Sequence, residues 1–188
     1  MALNVSNLKN DIKDAFQHGL DGGTSAEVAQ FLAYAILAYA SEAEILVSGP
    51  VIIPPPVSAP SSANGRKVKV TTAASTISAL QTQIANSLTA GDQYALMSSG
   101  IIAYAATSFT NFADPSIGTC PGAALMAIPP VFAPVIAAGM AATSDSPVIE
   151  KTSDIMSKII HASFLSTMFT GVCTAVDLGV GPAIGPLM

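Results

Sequence analysis

Charge is unusually scarce in this sequence. Only 10% of its 188 residues are Asp, Glu, Lys or Arg, against about 25% in ordinary soluble domains, whereas the hydrophobic fraction of 51% is close to the usual value. Much of that apolar count is alanine and tryptophan is absent, so the predicted surface consists of Ala, Ser, Thr and Gly. Such a surface has little electrostatic protection against association, and burial against a partner is the simplest remedy. The formal net charge of −5 argues against a general affinity for nucleic acid, where Lys and Arg supply most of the binding. The one basic cluster, Arg66, Lys67 and Lys69, reads as a solvated strand end.

Groups that do chemistry are equally scarce. There are two histidines. His18 falls at the end of a helix, where it meets the negative end of the helix dipole, and His161 lies beside an apolar stripe, so both read as structural. A small hydrolase or lyase built on them is the weakest functional alternative. No GxSxG, HExxH or P-loop pattern occurs. The glycines of "GVGPAIG" have the wrong spacing for a dinucleotide loop and no strand before them. No cofactor, metal or small-molecule substrate is therefore expected. Cys120 and Cys173 form neither a CxxC pair nor a zinc spacing, and read as two buried free thiols.

Long uncharged stretches, 93–113 and 115–144, and a mean hydropathy of +0.55 raise the question of membrane insertion, since about 20 apolar residues suffice to span. Pro129, Pro130 and Pro134 break the second stretch where lipid offers no substitute hydrogen bonds. The flanks also lack the Lys/Arg and aromatic collars of an interface. The opening "MALNVSNLKNDIKDAF" carries charges early and has no apolar run, so a signal peptide is not expected.

Periodicity predicts helices at about 5–18, at 25–47 behind the capping box "TSAE", at 75–89, and from an Asp92 cap through Phe112. A broken helical pair at 123–142 and a last helix from Ser153 to about Asp177 complete the set. "RKVKVTT" reads as a short strand, with Val68–Val70 pairing Val51–Ile53 in a hairpin. An Ile-x-Ala-Tyr-Ala echo at 36–40 and 101–105 hints at a duplicated helical unit. The expected fold is mainly α: one domain, 1–188, an Ala-rich bundle of five to six helices with at most one short hairpin. Residues 48–74 form a proline-rich arm and 178–188 an extended tail.

The opening "MALNVSNLKNDIKDAF", the helix "AEVAQFLAYAILAYASEAEI", the arm "GPVIIPPP" and the end "GVGPAIGPLM" together give the chain a style that resembles small Ala/Thr/Gly-rich virion proteins of tailed bacteriophages, components of the tail, neck or baseplate. That resemblance implies a virion location and assembly with further copies and other virion proteins. The expected function is a non-enzymatic structural subunit of a large symmetric assembly; the alternative is a membrane-embedded or membrane-active helical protein. Stiff apolar segments lose little entropy on docking, and tyrosines on small-residue helices anchor well. The expected subunit contacts are therefore Val51, Ile52, Ile53, Pro54, Pro55, Pro56, Val57, Tyr39, Tyr104, Pro182, Ile184 and Leu187.

Overall fold

A computed structural model describes residues 3–47, 49–71, 77–92, 94–141 and 148–188, and among them lie six helices and six strands. With 50% helix and 22% strand among the described residues, the chain is an α/β fold and not the mainly helical bundle that periodicity predicts. The helices are α1 (Val5–Leu20), α2 (Ser25–Ala40), α3 (Ile77–Ala90), α4 (Ala95–Ser108), α5 (Ala133–Ala141) and α6 (Val148–Leu165). The strands are β1 (Glu44–Leu46), β2 (Lys67–Lys69), β3 (Asn111–Asp114), β4 (Gly118–Met126), β5 (Thr167–Ala175) and β6 (Val180–Pro186).

Local chemistry sets the helix starts. The Asn4 carboxamide oxygen accepts from the Ser6 and Asn7 amides, and Thr24 and Glu27 form the full capping box. The cap position of α4 belongs to Tyr94, in the left-handed region, and not to Asp92 as expected; Asp92 serves the first turn from two residues outside, accepting from the amides of Tyr94 and Leu96. The expected start of α3 at 75 and the expected end at 142 fall outside the described residues. In space the helices lie in the order α4, α3, α2, α1, α6, α5, each packed on the next. Lys9 and Lys13 of α1 both reach Glu150 of α6 at 2.6 Å.

Four predicted helices end early or do not form. Helix α2 stops at Ala40, and residues 44–46 become β1. Helix α4 stops at Ser108, and Phe112 lies in β3. The first half of the expected pair at 123–142 is largely β4, leaving only α5. The last helix ends at Leu165 rather than Asp177, because the hydroxyls of Ser166 and Thr167 both bond back to the Ser163 carbonyl and the β-branched run that follows favours a strand. The expected extended tail contains strand β6, paired with β5.

Strands β3-β4-β5-β6 form an antiparallel sheet in sequence order, and β1-β2 form a ribbon. Both edges of the ribbon meet the sheet. Val70, just past β2, bridges Phe112 of β3, and Glu44 of β1 exchanges both backbone bonds with Met188 beyond β6. Eight residues further along, Ile52 exchanges both bonds with Val180, so residues 44–47 and 49–52 flank the two ends of β6 antiparallel to it and the six strands close into a ring. On β6 the N–H groups of Val180 and Met188 point at these residues while that of Leu187 points at β5. Pro182 and Pro186 therefore occupy positions whose missing donors cost the β5 ladder nothing.

The expected pairing of Val51–Ile53 with Val68–Val70 is wrong on both sides. Val68 is opposite Ile45, and the arm folds on itself: Ile53 donates to the Ala59 carbonyl, Ser61 donates to that of Val51, and Ile52 bridges Pro60. The cysteines are not free either. Antiparallel register places Cys120 of β4 opposite Cys173 of β5, their Cα atoms 4.0 Å apart, and a disulfide joins them. Sequence separation carries no information about such cross-strand neighbours, which is why the pair is invisible to spacing rules.

One hydrophobic core serves helices and sheet alike. Five rings run through it edge to face or stacked: Tyr39, Phe164, Phe109, Phe112 and Phe169, with centroids 4.7–6.4 Å apart. Each of the four phenylalanines is fully buried, a gain of about 1.5–3 kcal/mol apiece. Phe169 also explains two glycines. A Cβ at Gly122 or Gly171 would come within 2.6 Å of its ring, so the bare backbones of β4 and β5 form the seat on which the ring lies.

Candidate interaction surface

The inner face of β4, β5 and β6 is filled by Cys120, Ala124, Met126, Thr167, Phe169, Cys173, Ala175 and Ala183. The alternate residues point outward, and all of them are exposed: Thr119, Pro121, Ala123 and Leu125; Met168, Thr170, Val172 and Thr174; Val180, Pro182, Ile184 and Pro186. The register sets them in rows. Leu125, Met168 and Pro186 form one row, Ala123, Thr170 and Ile184 the next, and Thr119, Thr174 and Val180 the last, which Ile52 extends. None of these side chains is charged. Leu125 is 74% exposed, and Val172 and Ile184 are about half exposed at 52% and 50%.

Two Gly-Pro pairs shape the border of this face. A Cβ on Gly49 would fall 2.2 Å from the Pro182 carbonyl oxygen, and one on Gly181 would fall 2.5 Å from that of Pro50. Only glycine permits this approach. The "GP" at 49–50 and the "GP" at 181–182, which the sequence offers as parts of two separate arms, lie side by side in one wall.

The expected contact residues divide accordingly. Ile52, Pro182 and Ile184 belong to the outer face, and Pro54, Pro55, Pro56 and Val57 form an exposed tip beyond it, with Ile53 half-buried at its base. Val51, Tyr39, Tyr104 and Leu187 lie at 4% exposure or less in the chain's own core, so they hold the subunit together and offer no surface to a neighbour. Both copies of the Ile-x-Ala-Tyr-Ala echo bury their tyrosine in this way. The exposed Leu125, Met168 and Val172 escape sequence reading altogether. Their signal was the alternation with Ala124, Phe169 and Cys173, masked because both sets are apolar.

Polar groups are few and mostly tie elements together. The Tyr39 hydroxyl bonds His161 Nδ1; burial pushes the phenol pKa up and that of the imidazole down, which keeps both neutral. His18 lies 3.7 Å from the Glu27 carboxylate and packs edge-on against Phe31. It lines an open groove of about 530 Å³ between α1 and α2 with Asp11, Asp14 and Tyr34. The Asp177 carboxylate accepts from the Ser62 amide and hydroxyl, the Ser61 hydroxyl and the Gly179 amide at 2.8–3.1 Å. This buckle fastens the returning limb of the arm to the β5–β6 turn.

No family model, curated protein or solved structure matches this chain. Among the described residues no three His, Cys, Asp or Glu side chains group as metal ligands, and no helix is long and apolar enough to cross a membrane. The outer sheet face remains the feature whose composition calls for a functional account.

Proposed function

We propose that the chain is a non-enzymatic structural subunit of a multi-copy assembly, making its contacts through the outer face of β4–β6 and the proline tip beside it. The observation that supports this reading is the uncharged grid of exposed Leu, Met, Val, Ile, Pro and Thr side chains. Monomeric proteins rarely leave a contiguous apolar patch of more than a few hundred Å² uncovered. Virion assembly in a tailed phage is the finer form of the proposal, supported by the resemblance in sequence style. Its partners are then further copies of the chain and other virion proteins. Gradient fractionation of particles from the native source tests it: the chain should sediment with the particles at fixed stoichiometry and resist a high-salt wash. Recovery of all of it in the slow-sedimenting fractions would contradict the proposal.

A further inference from the structure

We infer that the partner seated on the outer face of β4–β6 is a second copy of this chain, packed sheet to sheet about a two-fold axis. This rests on the reading of that face as a contact surface. Addition of a strand at a sheet edge is the other common way for β-proteins to associate, and both edges are engaged here. The outer edge of β3 meets Val70 and Thr71, and that of β6 meets Glu44 and Ile52. What remains is a face, and face-to-face packing of two sheets about 10 Å apart uses outward Val, Ile, Leu and Thr side chains of the kind displayed here.

Charge selects the partner. With a net charge of −5, two copies repel through most of their surfaces, but β4, β5 and β6 contain no charged residue at all. Identical copies therefore meet at this face without bringing like charges together, as an isologous contact requires. The area is sufficient. Twelve outward side chains of β4–β6 and Ile52 are all exposed, and at roughly 50 Å² each they offer on the order of 600 Å² per copy, or about 1,200 Å² for the pair, the lower bound of stable specific interfaces.

Val172 lies in the middle strand of the grid, opposite Pro182, so under a two-fold it faces its own counterpart closely. Sedimentation equilibrium of the intact protein should show a concentration-dependent monomer–dimer equilibrium. Val172→Lys and Val172→Glu should each weaken it at least tenfold by setting like charges against each other, while an equimolar mixture of the two should restore pairing as a heterodimer. Leu20→Lys, on an exposed helix residue away from the sheet, should leave dimerisation unchanged. A wild-type protein that stays monomeric at several hundred micromolar overturns the inference, as does dimerisation indifferent to both charges, or failure of the mixture to pair. A monomer that still sediments with particles would overturn self-pairing and leave the assembly reading intact. A dimer found in no particle would do the reverse.

Discussion

Asp177 shows how much a single carboxylate does in a chain with so few charges. Its bonds from the Ser62 amide, the Ser61 hydroxyl and the Gly179 amide hold its pKa at about 2, below the unfolded value of about 3.9. Because the folded pKa is depressed, the stabilisation is fully present above about pH 4 and disappears as pH falls through the folded value. Denaturant midpoints measured across pH 2–5 should therefore drop for the wild type. In Asp177→Asn the drop should be smaller, with a lower midpoint already at pH 7. Equal pH profiles for the two proteins would remove the buckle from the account. His161 adds a second slope of the same sign. Burial lowers its folded pKa, so stability declines as pH falls below about 6.5, where the unfolded imidazole takes up its proton.

The cross-strand disulfide is the strongest tie between the elements of the sheet. It closes a separation of 53 residues, and replacing both cysteines with alanine should cost about 2–4 kcal/mol by chemical denaturation. Far-ultraviolet circular dichroism should show the helices intact. The arm is testable at the same scale. Replacing the exposed Pro54–Val57 with a short Gly/Ser turn should leave the thermal midpoint nearly unchanged. Val51→Asp, which buries an unpaired carboxylate, should abolish cooperative unfolding. A tip replacement that unfolds the protein would show that the prolines carry the ring closure, contrary to the burial pattern.

Helices α1 and α2 were legible because Asn4, Thr24 and Glu27 announce their starts and polar residues mark the outer face of α1. The strands were hidden for a physical reason. In β4 and β5 the outward residues Leu125, Met168 and Val172 are as apolar as the inward Met126, Phe169 and Cys173, so the period-two signal has no contrast. Phe164, Met168, Val172 and Val176 also satisfy a helical spacing. Glycines 122 and 171, poor strand formers alone, make sense only with the Phe169 ring above them. Of the expected contact residues, the exposed Ile52, Pro182 and Ile184 did converge on one face. Tyr39, Tyr104, Val51 and Leu187 went to the core, a partition that hydrophobicity cannot foresee because it does not distinguish a buried face from a sticky one.

At the scale of the whole molecule, a row of six helices covers one part of a closed ring of strands, and the aromatic file from Tyr39 to Phe169 joins the two. Most of the described charges lie on α1, α2, α6 and the β1–β2 ribbon, with Asp114 at the end of β3 and Asp177 in the β5–β6 turn, leaving the outer face of β4–β6 without any. A molecule organised in this way keeps one surface for association and stiffens the backbone beneath it with a disulfide, small inward residues and prolines. The most direct test of this account is incorporation of Val172→Lys into particles when supplied in place of the wild-type chain, alongside the Leu20→Lys control. The account predicts a variant with wild-type circular dichroism that is missing from the particle fraction while the control is retained. Incorporation of Val172→Lys at the wild-type level would contradict it.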